Sequence, residues 1–339
     1  MKKAFFTFLL ILAIIGCKQN SKTTIEDKAQ LEQKYPSDVL PFLDEWKILL
    51  GDGTYNDSLV AYKKEGFFYV QNDGESDWVV YKTPNSGVTS RTSSNTRTEL
   101  GQKAHWIPET GGKLTGTLKV MHVSTTGDAT KASSYSVVIG QIHSDEGHEN
   151  EPLKIYYKKF PGHTKGSVFW NYEINTAGDN IGRFDYSTAV WGYDFSDVGA
   201  SATEYPEEPE NGIALGEEFS YEVNVHEGIM YLTFTSENHE TVRFTKSLIK
   251  SDFTTREAIP EQVLKVYANR EKGGGVERDT AYAGEINYFK QGAYNQANAK
   301  STNAEIYGGD IQKQYDNGSY AEVWFKHATV GASTRPNGH

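Results

Sequence analysis

Three short segments of the chain carry side chains that can bind a carboxylate and move a proton. They are RTEL at 97–100, QIH at 141–143 and YFKQGAYNQ at 288–296. Among them they offer a guanidinium, four amides, an imidazole, an ammonium and two phenols. A guanidinium presents a fixed fork to a carboxylate, and an imidazole or a phenol can transfer protons. Together they indicate acid–base chemistry next to an acidic group.

Each segment reads as a strand, so alternate residues should share a face. Arg97 then shares a face with Glu99. On the second segment, Gln141 and His143 should share theirs with Val137 and Ile139. On the third, Phe289 and Ala293 should enter the core, whereas the opposite face carries Tyr288, Lys290, Gly292, Tyr294 and Gln296. Three such strands side by side would line a groove.

The rest of the chain also reads as short strands separated by turns, which predicts one all-β sandwich of two antiparallel sheets. The stretch from Phe219 alternates strictly, turns at Glu227-Gly228 and alternates back from Ile229, which predicts a hairpin. Only 255–270 has a helical pattern. The predicted strands are Phe67–Gln71, Trp78–Tyr81, Arg97–Leu100, Lys113–His122, Ser134–His143, Leu153–Lys158, Val168–Ile174, Phe219–His226, Ile229–Ser236, Glu240–Lys246, Gly284–Tyr294 and Glu322–His327.

Composition excludes several classes of protein. The 339 residues have a formal net charge of -11, whereas a nucleic-acid-binding protein usually presents a basic face, so we expect no nucleic-acid partner. The single Cys excludes a disulfide framework and a cysteine-based zinc site. The spacing of His143, Asp145, His148 and Glu149 fits no zinc pattern, and GDGTYND lacks the terminal Glu of a calcium loop. We therefore expect neither a metal nor a cofactor.

The N-terminus reads as a targeting signal. Two lysines precede a short apolar run, and the only Cys, Cys17, follows Ile-Ile-Gly. This pattern resembles a bacterial lipobox, in which the Cys becomes lipidated after cleavage. We expect a lipoprotein signal peptide at 1–16, a polar tether at 17–39 and one catalytic domain at 40–339. The protein would be exported and lipid-anchored at the outer membrane or cell surface through Cys17, as a monomer.

RTEL, QIH and YFKQGAYNQ, in this order, resemble the three signature motifs of polysaccharide lyase family 7, the alginate lyases. The first motif of that family usually ends in a second Arg, where this chain has Gly101. The resemblance implies a β-jelly-roll with a concave substrate groove and β-elimination on a 1,4-linked uronate polymer, which leaves a 4,5-unsaturated end. It also implies that alginate or its oligosaccharides are the substrate.

The resemblance assigns the catalytic roles to Arg97, Gln141, His143 and Tyr294. Arg97 and Gln141 would neutralise the uronate carboxylate. His143 would assist them or take the C5 proton, and Tyr294 would carry the proton. We place Glu99, Tyr288, Lys290, Asn295 and Gln296 as substrate contacts or support, with Glu99 orienting Arg97.

Two other functions compete with this assignment. A glycoside hydrolase would need two carboxylates about 5–10 Å apart, and the signature E-x-D-x-x-E is absent from the sequence. A non-catalytic polysaccharide-binding jelly-roll lipoprotein would need stacking aromatic rings but no Arg, Gln, His and Tyr set. The run Lys154, Lys158, Lys159 and Lys165 is either a solvated face or a basic wall of the groove.

The mode of attack is predicted from two long stretches, 144–167 and 175–218. Both flank strands near QIH and would rise at one end of the groove. The acidic run Glu204–Glu210 would repel a polyanion that continues past this end. We therefore expect exolytic release of very short products, with endolytic cleavage as the alternative.

Overall fold

The computed structural model describes residues 34–89, 93, 95–127, 132–145, 150–176, 182–195, 206–259, 275–297 and 309–336. Tyr35–His339 form one compact unit, which begins five residues before the predicted domain start. The predicted signal peptide, Cys17 and the tether up to residue 33 lie outside the described residues. So does most of the predicted helix at 255–270, of which Arg256–Ala258 form one 3-10 turn.

Strands dominate the described ranges. Short helices are α1 (Pro36–Val39) and α2 (Ile311–Asp316), with a 3-10 turn at Leu43–Glu45. The strands are β1 (Trp46–Leu49), β2 (Tyr55–Asn56), β3 (Phe68–Asn72), β4 (Asp77–Pro84), β5 (Arg97–Gln102), β6 (Gly112–His122), β7 (Ser136–Ser144), β8 (Leu153–Lys158), β9 (Lys165–Glu173), β10 (Asp185–Trp191), β11 (Ile213–Ala214), β12 (Glu218–His226), β13 (Ile229–Ser236), β14 (His239–Ser247), β15 (Asn287–Asn295) and β16 (Tyr320–Gly331).

These strands form two antiparallel sheets packed face to face, as predicted. Within the described residues, the larger sheet has nine strands in the order β10-β9-β8-β7-β15-β5-β1-β2, with β11 paired to β9. The smaller has seven, in the order β14-β13-β12-β6-β16-β4-β3. The three motif strands β7, β15 and β5 are neighbours at the centre of the larger sheet, so the fold brings the distant segments together.

The space between the sheets is filled by aliphatic and aromatic side chains. Phe289 of β15 packs on Trp106 with ring centroids 4.9 Å apart, and Tyr81 of β4 meets Phe325 of β16 at 5.5 Å. Polar links also cross the core: the Gln291 amide donates to Tyr221 Oη at 2.7 Å, and the Thr98 hydroxyl donates to the Lys82 carbonyl oxygen at 2.7 Å. A buried hydrogen bond of this kind fixes how the sheets sit on each other, because an unpaired amide there would be costly.

The predicted hairpin is confirmed. β12 and β13 pair from Phe219 with Ser236 to His226 with Ile229. The turn residues Glu227 and Gly228 have φ of 50° and 79°, the left-handed pair that suits the twist of a two-residue hairpin.

The sequence does not predict β1, β2, β10 and β11, since each is short or lacks clear alternation. The stretch 175–218 is consequently not a plain loop, since it contains β10 and β11, and the predicted strand β8 lies in 144–167. None of the helices in the described part of the chain is long and apolar enough to cross a membrane.

Candidate active site

The register of the larger sheet places the motif residues on its outer face. Residues that are opposite each other on antiparallel strands point to the same side. Tyr294 lies opposite Arg97, and Lys290 lies opposite Gln141 on one side and Gly101 on the other. His143 lies opposite Tyr288. The four predicted catalytic residues therefore converge on three adjacent strands.

A bulge in β7 corrects one prediction. Ile139 has no partner on β8, because Val138 pairs with Tyr156 and Gly140 with Ile155. The extra residue reverses the alternation. Val137 and Ile139 therefore belong to the core between the sheets, not to the face of Gln141 and His143 as predicted.

Glu99 is the centre of the hydrogen-bond network in the groove floor. Its carboxylate accepts from Arg97 Nη1 at 3.0 Å and from the amide of Gln141, with Lys290 Nζ 3.8 Å away. Only 3% of Glu99 is exposed. A charge-assisted bond of this kind holds a long side chain in one position. Glu99 thus orients Arg97 and Gln141, the two side chains that the sequence assigns to carboxylate binding. Both of its own oxygens already accept hydrogen bonds.

The Tyr294 hydroxyl lies beside a cation. The Arg97 guanidinium carbon stands 3.8 Å from the Tyr294 ring centroid. Arg97 Nη2 donates to Ser93 Oγ at 3.1 Å, and Ser93 Oγ lies 3.1 Å from Tyr294 Oη. This arrangement suits a phenol that gives and takes a proton.

His143 is held in one tautomer. Its Nδ1 lies 2.6 Å from the carbonyl oxygen of Ser144, which can only accept, so Nδ1 carries the hydrogen and Nε2 the lone pair. Burial, reinforced by the positive charge of Lys290, lowers the pKa of His143 to about 3. The ring is therefore neutral at pH 7. Its Nε2 lies 3.7 Å from Glu151 Oε1, and it is able to accept a proton.

Lys290 and Tyr288 extend the floor. Burial, together with Arg97, lowers the pKa of Lys290 to about 8. The Tyr288 ring is half-buried, and the rings of His105 and His143 each have their centroid 5.3 Å from it. Burial raises the pKa of Tyr288, so its hydroxyl stays protonated. This part of the floor offers an aromatic face beside a cation.

Of the last two predicted residues, Asn295 lies away from this floor. Asn295 is fully buried, donates to Asn85 Oδ1 at 2.8 Å and accepts from the backbone of Ala297 at 3.0 Å. It therefore supports the strand rather than facing the groove. Gln296 continues past the end of β15, where its backbone donates to Ser136 at 3.0 Å.

The outer face of the sheet is covered from β8 to β10. One part of the cover is an aromatic cluster that packs against Tyr294. It is formed by Tyr135, Val138, Tyr156, Phe160, Phe169 and Phe195. We call residues that lie opposite one another on successive strands a row. The row that starts at Tyr294 continues through Val138 on β7, Tyr156 on β8 and Phe169 on β9.

The other part of the cover is a cluster of buried charges. Lys154 Nζ lies 3.0 Å from both Glu173 and Asp185 and 3.4 Å from Glu151. Arg183 pairs with Glu173 at 2.6 Å. Lys154 continues the row of Gln141, and the next residue in that row, Asn171, has no exposed surface. Among the described residues, the row of groove residues therefore ends at β8, and its other end lies towards β5 and β1.

The structure revises two predictions about surface charge, one for the lysine run and one for the acidic run. Lys154 and Lys158 are neither a solvated face nor a free wall, because both are buried. The ammonium of Lys158 donates to the backbone of Ala132 and Ser134, and burial lowers its pKa to about 7. In the acidic run, Glu204 lies outside the described residues. Glu208 accepts from Thr164 and Lys165, so it fixes a turn instead of presenting a free charge.

Sequence reasoning missed Ser93, Glu151 and the role of Lys154. None of them lies in a motif or a clear strand alternation, and only the pairing of β8 with β7 brings Lys154 beside Gln141. Across the described ranges, no group of three or more His, Cys, Asp or Glu side chains has the geometry of a metal site.

Comparison with known proteins gives a consistent result. A sequence profile of the family described as alginate lyase matches residues 42–332. An alginate lyase from Klebsiella pneumoniae is 29% identical over 270 residues, which cover 70% of this chain and 73% of that protein.

Solved structures extend the comparison. The crystal structure of the exolytic PL7 alginate lyase AlyA5 from Zobellia galactanivorans matches with a TM-score of 0.85 and 68% identity, covering 89% of this chain and 99% of that one. The structure of the alginate lyase from Klebsiella pneumoniae matches with a TM-score of 0.63 and 24% identity, covering 89% and 100%. At that identity the second likeness concerns the fold.

Proposed function

This chain belongs to the alginate lyase family, and we propose that it degrades alginate from a chain end through the side chains around Tyr294. The observation that supports this most is the position of these side chains: they lie where an open groove meets the covered face of β8 to β10. A uronate held there has its carboxylate beside Arg97 and Gln141, and its neighbours on one side only.

The reaction removes the proton at C5, forms the C4–C5 double bond with the electrons of that bond, and breaks the bond from C4 to the bridging oxygen. An ionised carboxylate next to C5 opposes this step, because negative charge builds up on it. Arg97 and Gln141, both anchored by Glu99, would neutralise that charge. Fixed donors aimed at developing charge are worth about 10²–10³ in rate each.

Two groups can take part in the proton transfers. His143 presents an unprotonated Nε2 at neutral pH and suits the removal of the C5 proton. Tyr294, next to Arg97, suits delivery of a proton to the bridging oxygen, and its hydroxyl can also take part in the first removal. Which group acts as the base would depend on the configuration of C5 in the bound uronate.

The covered end of the groove supports exolytic attack. A chain that passes through the site would have to displace the aromatic cluster or break the pairs of Lys154 with Glu173 and Asp185. Removing one partner from a buried ion pair costs about 3–5 kcal/mol, and this cost opposes binding of a sugar beyond β8. The Zobellia galactanivorans enzyme, at 68% identity, is described as exolytic.

The test combines two readouts of the purified protein on alginate. An eliminase produces ultraviolet absorbance from the conjugated double bond in proportion to new reducing ends. Size-exclusion chromatography at early times should show monomer or very short unsaturated units already at the first per cent of conversion. Reducing ends without absorbance would indicate hydrolysis, and a ladder of long oligosaccharides at early times would indicate internal cleavage.

We also propose that Cys17 carries a lipid that holds the enzyme at the outer membrane or cell surface as a monomer. The support is the short apolar run after two lysines and the position of the only Cys directly after it. Expression in a bacterium with a radiolabelled fatty acid tests this. Label in the membrane fraction that is lost with Cys17→Ser supports the anchor, and an unlabelled protein in the medium contradicts it.

A further inference from the structure

Lys47 lies at the open end of the groove floor. On β1 it is opposite Gly101 of β5, and Gly101 is opposite Lys290 of β15. These three positions therefore continue the row of Gln141 away from the covered end. Lys47 is half-buried.

Gly101 lets the Lys47 side chain lie across the floor. A Cβ at Gly101 would stand 3.4 Å from Lys47 Cε and 3.7 Å from Tyr288 Cε2. The lysine stem thus runs over the glycine towards the Tyr288 ring, and its Nζ lies 5.7 Å from the centroid of that ring. A larger residue at 101 would push the ammonium away from the aromatic face.

The charge of Lys47 is not compensated within the described part of the chain. No carboxylate there lies within ion-pair distance of its Nζ, whereas Lys64, Lys82 and Lys113 each have one at 3.1 Å or closer. The protein carries a net charge of -11, so paired lysines are the expected case. An uncompensated ammonium beside an aromatic face, in a groove, suits an anionic ligand with an apolar ring surface.

We propose that Lys47 binds the carboxylate of the uronate next to the one that loses its proton, with that sugar lying on Tyr288. β1 is two strand spacings from β15, about 10 Å, and the lysine stem reaches back across part of this distance. Because the β8 side is covered, the neighbouring sugar must lie on this side. The inference rests on the proposed chain-end mode. It adds Lys47 as the residue that binds the rest of the substrate polymer.

The test is Lys47→Met, which keeps the stem over Gly101 and removes only the charge. Lys113→Met is the matched control: it removes the same charge from the other sheet, where Lys113 pairs with Glu222 at 2.8 Å. Loss of one charge-assisted contact to a carboxylate should raise KM for alginate oligosaccharides about tenfold. The contact is present in both the bound substrate and the transition state, so kcat should change less than about twofold.

Two further results complete the test. The KM of wild type should rise with added salt more steeply than that of Lys47→Met, and Lys47→Arg should recover most of the affinity. An unchanged KM in a folded Lys47→Met, or a fall in kcat alone, would overturn the proposed role. If wild type forms no unsaturated product, the proposed function fails, whereas an active wild type with an indifferent Lys47→Met refutes this inference alone.

Discussion

Replacing Glu99 by Gln tests whether one buried carboxylate positions the catalytic donors. Its oxygens accept from Arg97 Nη1 at 3.0 Å and from the Gln141 amide. A glutamine of the same shape has one acceptor oxygen and one NH2 group. It can accept from one of these donors, but its NH2 group then points at the other donor, which loses its hydrogen bond. If each disturbed contact costs about 1.5 kcal/mol of positioning, the sum is about 3 kcal/mol, or roughly 10² in kcat.

The assay is the initial rate of ultraviolet absorbance on alginate, with kcat and KM separated. We expect kcat to fall about 10²-fold and KM to change little. Glu222→Gln removes a carboxylate from the other sheet and serves as the control, since Glu222 pairs with Lys113 far from the groove. Rates like those of wild type in a folded Glu99→Gln would refute the positioning role.

A second readout separates positioning from a general structural effect. The negative charge of Glu99 raises the pKa of Lys290, although burial and Arg97 bring it down to about 8 overall. Without that charge the pKa of Lys290 should fall further. Any alkaline limb of the rate profile that reports Lys290 should therefore move to lower pH in Glu99→Gln and stay in place in Glu222→Gln.

The remaining predictions concern single residues. Tyr294→Phe should lower turnover by at least about 10³-fold with an unchanged melting temperature, because only the proton-carrying hydroxyl is lost; rates near wild type would reassign the proton to another group. The pKa of His143 is about 3 in the fold against 6.5 in a free side chain, so stability should be full above about pH 6.5 and decline as the pH falls towards 3, and His143→Gln should flatten that decline in urea titrations. Lys154→Met should lower the free energy of unfolding by about 3–5 kcal/mol, because Asp185 loses its cation and Glu173 keeps only Arg183; a smaller loss means that the cluster is not held by this lysine. Gly292 has φ of 145° and a Cβ there would lie 2.6 Å from the Thr98 carbonyl oxygen, so Gly292→Ala should cost about 1–3 kcal/mol and turnover, whereas Gly331→Ala, with open space around it, should cost neither.

The sequence predicts the strands whose side chains alternate, and it predicts the faces of Arg97, Tyr288 and Tyr294. Period-2 patterning carries that information locally. The prediction from this pattern fails at Ile139. A bulge can be recognised only when the number of residues opposite it on β8 is known. For the same reason, the sequence alone does not tell whether Val137 and Gln141 lie on the same face of the sheet.

The covered end of the groove lies beyond local patterns altogether. Lys154 reads as one lysine in a basic run, yet pairing of β8 with β9 and of β9 with β10 brings Glu173 and Asp185 to it. Lys47 is likewise one residue of a short strand, and its approach to Tyr288 depends on the absence of a side chain at Gly101. Long-range register sets these contacts, and register is a property of the assembled sheet.

In the proposed chain-end mode, a blind groove places Tyr294 and His143 at the end of the substrate chain. Viscosity and ultraviolet absorbance, followed together during digestion of long alginate, test it most directly. Chain-end attack predicts that absorbance rises steadily while viscosity falls only in proportion to the mass released. A steep fall in viscosity before appreciable absorbance would mean internal cleavage, and it would contradict the account of the covered β8 to β10 face.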